Sequence, residues 1–403
     1  MHPQADTLWR GPRWTLSLLL ACLGMMGPFA IDTYLPAFAG IAADLQATPV
    51  QMQQTLSAYL AAFAVMNLFH GALSDSVGRR PVVLVAVLVF VAGSVGCALS
   101  SSIGQLVAFR AMQGLSAGAG MVVSRAIIRD LYPPVEAQRV MSQVTIFFGV
   151  APALAPLVGG WLFVHLGWHS VFWLLAGLGL LLWLMMLQRL PESLHASQRQ
   201  PFHPAHLLRG YWQMGTSLRF LALVVAGGVP FNGLFIYVLS SPAWLGDHLG
   251  LQPQQFFWFF VLSVSGIMGG AWWSGRLAGR VPRSRQVRQG FLIMGISTAV
   301  NLALNAVWAP HAAWALWPVA CYAFGWSLIA PALTLLVLVE VPERRGMASS
   351  VQAFVGAMAN ALVAGVLSPW VMGSALSLAL ASAALMATGG LAWLWVKRQV
   401  AVQ

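Results

Sequence analysis

Gly71-Ala72-Leu73-Ser74-Asp75-Ser76-Val77-Gly78-Arg79-Arg80-Pro81 is a short polar island between two long apolar runs. A glycine opens it, one carboxylate stands in the middle, and two arginines and a proline close it. Such a stretch reads as a tight turn at a membrane surface, with a fixed pattern of charge. Its flanks decide the fold: they are apolar segments of about 20 residues, the length that crosses a hydrocarbon core as a helix.

Composition extends this reading to the whole chain. Of 403 residues, 59% are hydrophobic and only 8% charged, against about 25% charged in soluble domains. A soluble fold of this size would lack the charge to cover its surface, so the chain is a polytopic membrane protein. The net charge of +11 does not argue for nucleic acid, because cytoplasmic loops of membrane proteins collect Lys and Arg. Cys22, Cys97 and Cys321 all lie in apolar segments, which excludes a disulfide framework and suits packing. The first apolar segment outruns a signal-peptide core and passes Asp32 toward Pro36 without a small-residue cleavage site, so no cleaved leader is expected. No metal or cofactor is expected either: the histidines are scattered, and His195, His203 and His206 share one loop without ligand spacing. His70 is expected at the membrane edge.

Twelve spans are read at 14–37, 51–73, 82–100, 103–126, 139–163, 168–188, 219–241, 255–275, 288–308, 312–338, 346–368 and 373–396. With a cytoplasmic N-terminus, every Lys and Arg except Arg110 falls on the cytoplasmic side: Arg10, Arg13, Arg79, Arg80, Arg125, Arg129, Arg139, the arginines from Arg189 to Arg219 and Arg276 to Arg288, then Arg344, Arg345, Lys397 and Arg398. The opposite orientation breaks the positive-inside rule at every loop, so both termini are expected in the cytoplasm. Residues 189–218, with Pro191, Pro201 and Pro204, form the one long connection. They divide the chain into a first six-helix bundle, 1–188, a cytoplasmic loop, 189–218, and a second six-helix bundle, 219–403. Two parallel six-helix repeats are a transporter plan with substrate bound between them. A worn copy of the opening stretch, Gly275-Arg276-Leu277-Ala278-Gly279-Arg280, follows the second span of the second half but lacks the aspartate.

Charges inside a bilayer cost several kcal/mol and mark functional sites. Asp32, late in the first span, and Arg110, early in the fourth, fall at similar depth if the first span ends near residue 37, about 8 and 10 Å from the same surface at the helical rise. Burial and a neighbouring cation act oppositely on a carboxyl. Two readings stand: a protonation site coupled to substrate, or a static ion pair bracing two helices. Gly24, Gly27 and Pro28 in the first span suit either a bend at a cavity or close packing. In the fifth span Pro152, Pro156, Gly159 and Gly160 invite a kink and allow close approach, the marks of a pliable hinge. Gln113, one turn from Arg110, shares its helix face. Tyr34, Asn67, Gln113, Asn232, Tyr237, Tyr322, Trp326 and Asn360 are substrate-binding candidates, although an asparagine in a span more often bridges helices. Gly71, Asp75, Gly78, Arg79, Arg80, Arg129 and Asp130 are expected to gather as a conformational latch at the cytoplasmic face. Within it Gly71 and Gly78 permit the tight path, and Asp75 faces the N-terminus of the eleventh span near Gly346.

These motifs resemble a known family. Gly71 to Pro81 looks like motif A of the major facilitator superfamily. Arg110-Ala111-Met112-Gln113-Gly114 resembles motif B of its twelve-helix drug:proton antiporters. Pro156-Leu157-Val158-Gly159-Gly160 resembles the antiporter motif C, with Ala155 where the family has glycine. Asp32-Thr33-Tyr34-Leu35-Pro36 and Arg129-Asp130-Leu131-Tyr132 are similar to the Bcr/CflA (bicyclomycin/chloramphenicol resistance) branch. The resemblance implies an all-α fold of two pseudo-symmetric six-helix bundles in the bacterial inner membrane, and proton-driven export of small, largely hydrophobic drugs. It implies that Asp32 is the membrane-embedded acid, that Arg110 supports proton coupling, and that motif A braces one conformational state.

The expectation is therefore a monomeric antiporter whose partners are a small-molecule substrate, protons and membrane lipid, and not nucleic acid. The same fold would also serve export or uptake of a physiological metabolite. No nucleophile–base pair or extramembrane domain points to an enzyme, and a receptor would not need Asp32 and Arg110 in its spans.

Overall fold

Helices dominate the computed structural model, which describes residues 13–132, 134–277, 279–341 and 345–401; among these residues no strand occurs. The chain divides into two compact units, Met1–His203 and Pro204–Gln403.

The first unit contains α1 (Arg13–Asp32), a 3-10 turn (Leu35–Ala37), α2 (Phe38–Asp44), α3 (Pro49–Asn67), α4 (His70–Val77), α5 (Arg79–Ala98), α6 (Ile103–Leu131), α7 (Pro134–Leu166) and α8 (His169–Arg189). The second contains α9 (Pro204–Gly215), α10 (Leu218–Gly228), α11 (Phe231–Leu239), α12 (Phe257–Leu277), α13 (Arg283–Val307), α14 (Ala312–Glu340), α15 (Arg345–Leu362), α16 (Ser368–Val371) and α17 (Ala375–Ala401). Among the described residues nine helical stretches are long and apolar enough to span a membrane, and two bent pairs, α3 with α4 and α10 with α11, raise this to eleven. The apolar stretch Pro152–Leu166 of α7 supplies the remaining expected span.

Local chemistry sets the ends and the breaks. Thr48 and Gln51 close a capping box at the start of α3, with Pro49 in the first turn. Ser102 caps α6 and Ser217 caps α10. The first span does not end near residue 37. It continues to Asp44, making the stretch Trp14–Asp44, and α gives way to a 3-10 turn directly after Asp32. Pro36 explains the break, since it has no N–H for the Asp32 carbonyl. Pro230 acts likewise at the 47° bend between α10 and α11. The 48° bend between α3 and α4 has no proline; there the N–H groups of Leu68 and Phe69 bond back to Val65 and Met66, tightening one turn.

Lipid is no poorer a solvent for leucine than another leucine is, so close backbone contact does much of the packing. A Cβ on Gly114 would overlap the Tyr59 carbonyl, one on Gly120 the Leu23 carbonyl, and one on Gly159 the Thr33 carbonyl. These glycines seat α1 and α3 on α6, and α7 on the broken first span. α7 is helical from Pro134 to Leu166, through both Pro152 and Pro156; the expected hinge lies in an unbroken helix, with Gly160 buried beside Gly159.

Two further departures concern the connections. Residues 189–218 are not all loop, because α9 occupies Pro204–Gly215. The opening stretch is not a loop either: residues 70–77 are helical, and the turn is Gly78 alone, at φ +116° and ψ 157°. Gly71 lies inside α4 with ordinary helical backbone, so it is not what permits the tight path. Arg10 and Arg344, assigned above to one side of the membrane, and Ala278 of the worn copy lie outside the described residues.

Candidate functional site

The centre of the first unit is Arg110 of α6, which is fully buried. Its guanidinium lies 4.7 Å from the ring centroid of Tyr34 and 4.4 Å from that of Tyr59. One nitrogen, NH1, donates to the Ala30 carbonyl at 3.3 Å and to Gln113 Oε1 at 2.8 Å. Gln113 Nε2 donates in turn to Ser94 Oγ at 2.7 Å, and Ser94 donates to the Phe90 carbonyl. The rings are themselves fixed. Tyr34 O–H bonds Thr55 Oγ1 at 2.7 Å, and Tyr59 O–H donates to the Gly27 carbonyl at 3.0 Å. The cation is thus held by two π faces, the Ala30 carbonyl and the Gln113 amide oxygen, while its Nε and NH2 groups have no partner among the described residues.

Asp32 is 5% exposed and sits at the helix break, two residues past the carbonyl that holds Arg110. No ion pair joins it to Arg110 among the described residues. The acid and the cation share one buried region, since Arg110 donates to the Ala30 carbonyl two residues before Asp32. The depth argument changes as well. With the first span ending at Asp44, Asp32 lies about 18 Å from that end at the helical rise, deeper than the sequence reading places it.

At the other end of the unit Arg79, 4% exposed, joins three elements. Its NH1 reaches Asp75 Oδ1 at 2.5 Å and Ser74 Oγ at 2.7 Å, and its Nε donates to Asp130 Oδ2 at 2.9 Å. Arg80 does not join them: its NH2 donates to the Leu187 carbonyl at 2.7 Å. Arg129 is exposed and takes no part.

The second unit places its candidates inside as well. Tyr237 O accepts from Asn301 Nδ2 at 2.7 Å, and Tyr322 O–H donates to the Pro230 carbonyl at 2.7 Å, the carbonyl at the bend. Both line a small polar cavity with Ser297, Thr298 and Ser382. Trp326, half-buried, meets Phe231 in a tilted ring contact with centroids 4.6 Å apart. Asn232 and Asn360 each keep a buried side-chain oxygen without a partner among the described residues.

The model for the Major Facilitator Superfamily matches residues 18–364. The chain belongs to that superfamily. A relative from Bacillus subtilis, an uncharacterized MFS-type transporter YdgK, is 34% identical over 74% of this chain and 75% of its own. A bicyclomycin resistance protein homolog from Haemophilus influenzae is 31% identical over 70% of each chain, and multidrug resistance protein D of Escherichia coli is 32% identical over 65% of each. The solved peptide transporter POT in complex with alafosfalin superposes with a TM-score of 0.79 over 98% of this chain and 97% of that one, at 17% identity, a likeness of fold. The chain is thus a multi-pass membrane transporter of the major facilitator type.

In this major facilitator protein one functional position escapes a reading of the spans. Glu192 of the connecting stretch accepts the backbone N–H of Arg79 at 3.0 Å on Oε1 and that of Arg80 at 3.3 Å on Oε2. It thereby caps the first turn of α5 with a carboxylate. Ser193 beside it donates to Asp130 at 3.2 Å, and Gln200 N–H bonds the Asp75 carbonyl at 3.0 Å. The connection after α8 is strapped onto the motif A cluster. A carboxylate directly after Pro191 was the only sequence signal. His70, expected at the membrane edge, is 3% exposed and its side chain is buried inside the unit.

Proposed function

We propose that this major facilitator protein exports small, largely hydrophobic toxic compounds in exchange for protons, across a bacterial inner membrane, by alternating access. The observation that carries the reading is Asp32: a carboxylate buried at a helix break, without an ion pair to Arg110 among the described residues, where the Nε and NH2 groups of Arg110 also have no partner. Intramembrane acids mark proton and substrate pathways, and broken helices are where transporters form such sites. The names of the Haemophilus influenzae and Escherichia coli relatives support drug export over metabolite uptake.

In this reading the arginine-rich end, with both termini, faces the cytoplasm, and the bundles 1–188 and 219–403 rock about the connection 189–218. Deprotonated Asp32 favours the state that takes substrate from the cytoplasm or inner leaflet. A proton arriving from the far side neutralises Asp32, competes with substrate and promotes release. Arg110, held by Tyr34 and Tyr59, keeps its charge throughout and sets the field in which Asp32 gains and loses its proton. The Arg79 cluster latches one conformation, and the chain works as a monomer.

The test is a drug-susceptibility panel in an efflux-deficient bacterial host. Wild type should raise resistance to at least one small hydrophobic compound, and Asp32→Asn, present at equal level in the membrane, should not. Equal resistance from both proteins contradicts the reading.

A further inference from the structure

The bend between α3 and α4 carries two buried polar groups that the cycle above does not use. Asn67 ends α3 and is 4% exposed; His70 begins α4 and is 3% exposed. Asn67 Oδ1 and His70 Nδ1 both lack a hydrogen-bond partner among the described residues. They converge on one point. A Cβ on Gly118 of α6 would overlap Asn67 Oδ1 and stand 3.3 Å from His70 Nδ1. The glycine leaves that space to the two side chains. An acceptor-only oxygen beside an imidazole nitrogen is satisfied when the nitrogen carries a proton, and left unpaired when it does not.

We propose that His70 and Asn67 form a second proton-binding station, which passes protons between Asp32 and the cytoplasm and sets the bend of α3 on α4. The inference rests on the proton-coupled reading and its assignment of the Arg79 end to the cytoplasm. Along α6 the station is about 12 Å from the level of Arg110 and about 18 Å from that of Asp130, at 1.5 Å per residue. It divides the inner half of the path. The step is simple: a proton released by the Asp32 carboxyl adds to His70 Nδ1, Asn67 Oδ1 accepts the new N–H, and the proton then leaves to cytoplasmic water. With a proton on Nδ1 the ring donates to Asn67 across the bend; with Nδ1 bare, Asn67 Oδ1 has no donor there.

The charged groups nearest this point are few. On α6 the residues that continue the Gly118 face toward α4 are Val122, which lies beside Gly71, and by helical spacing the exposed Arg125 and Arg129. On α5 it is Arg79, and on α4 itself Asp75. Arg79, Asp75 and Asp130 are committed to one another.

The experiment uses the full-length protein in inverted membrane vesicles, whose cytoplasmic face is outermost, and the compound exported most strongly in the susceptibility panel. Proton-driven uptake is measured against bath pH with the transmembrane pH difference held constant. Side-chain ¹⁵N spectra of histidine-labelled protein report whether His70 titrates, its signal assigned by its absence in His70→Gln. Wild type should show a step in rate where the His70 signal converts to imidazolium, and His70→Gln should lose the step. If His70→Gln does not fold, Asn67→Asp serves instead: a carboxylate beside Nδ1 favours the charged ring, so the step and the spectral transition should both move to higher pH. Proton-driven uptake with an unchanged step in either variant, or a His70 signal that stays neutral across the step, overturns this station alone. Absence of proton-driven uptake in wild type overturns it together with the proposed function.

Discussion

The guanidinium of Arg110 lies 4.4 Å from the ring centroid of Tyr59 and makes no ion pair with Asp32 among the described residues. The cation is stabilised by aromatic faces and a carbonyl and not by the acid, so the acid is free to change protonation without releasing the arginine. A desolvated cation–π contact is worth about 2 kcal/mol. Tyr59→Leu should lose that and the bond to Gly27, whereas Tyr59→Phe keeps the ring and loses about 1 kcal/mol for the hydroxyl. Thermal melting of the purified variants should rank wild type above Phe and Phe above Leu. Equal melting of Phe and Leu would remove the aromatic contribution from the account.

Gln113 links Arg110 to Ser94 through both ends of its amide. Gln113→Leu strands donors in a buried site, at about 1–3 kcal/mol. It should lower melting, and adding Ser94→Ala to it should cost little more. Additive losses in that pair, measured as a double-mutant cycle, would show that the two residues do not act as one network.

Gly78 adopts a backbone region that is essentially reserved for glycine, at a cost of about 1–3 kcal/mol for other residues, and a Cβ there would also overlap Glu192. Gly78→Ala should therefore destabilise strongly, while Gly71→Ala, which would only touch Val122 at 3.8 Å, should melt near wild type. The same two variants compared for transport separate the turn from the helix that precedes it.

Glu192 holds the first two N–H groups of α5. Glu192→Ala should cost about 1–2 kcal/mol in melting, the range for losing a helix cap, and should increase proteolytic nicking of residues 190–200, which then lose their strap. Unchanged nicking would mean that Ser193 and Gln200 hold the connection without it.

Most of the architecture was legible because it rests on local properties. Span length needs no knowledge of packing, and Asp32 and Arg110 stand out as charges in apolar runs. Pro36 carries the signal for the break after Asp32, although the apolar run conceals it. Other features depend on which faces meet. Arg110 was placed near Asp32 but not between Tyr34 and Tyr59, since aromatic residues are common in every span. Glu192 acts on Arg79 across 113 residues. The inward turn of His70 onto Gly118 was not legible either, because the polar island it adjoins continues as helix α4.

The central claim is that Asp32 carries the transported proton. Its most direct test is transport by purified wild type and Asp32→Asn in proteoliposomes, comparing uptake driven by an imposed proton gradient with substrate counterflow at equal pH. Asp32→Asn is expected to lose gradient-driven accumulation and to keep counterflow. Gradient-driven accumulation at the wild-type rate in Asp32→Asn would contradict the account.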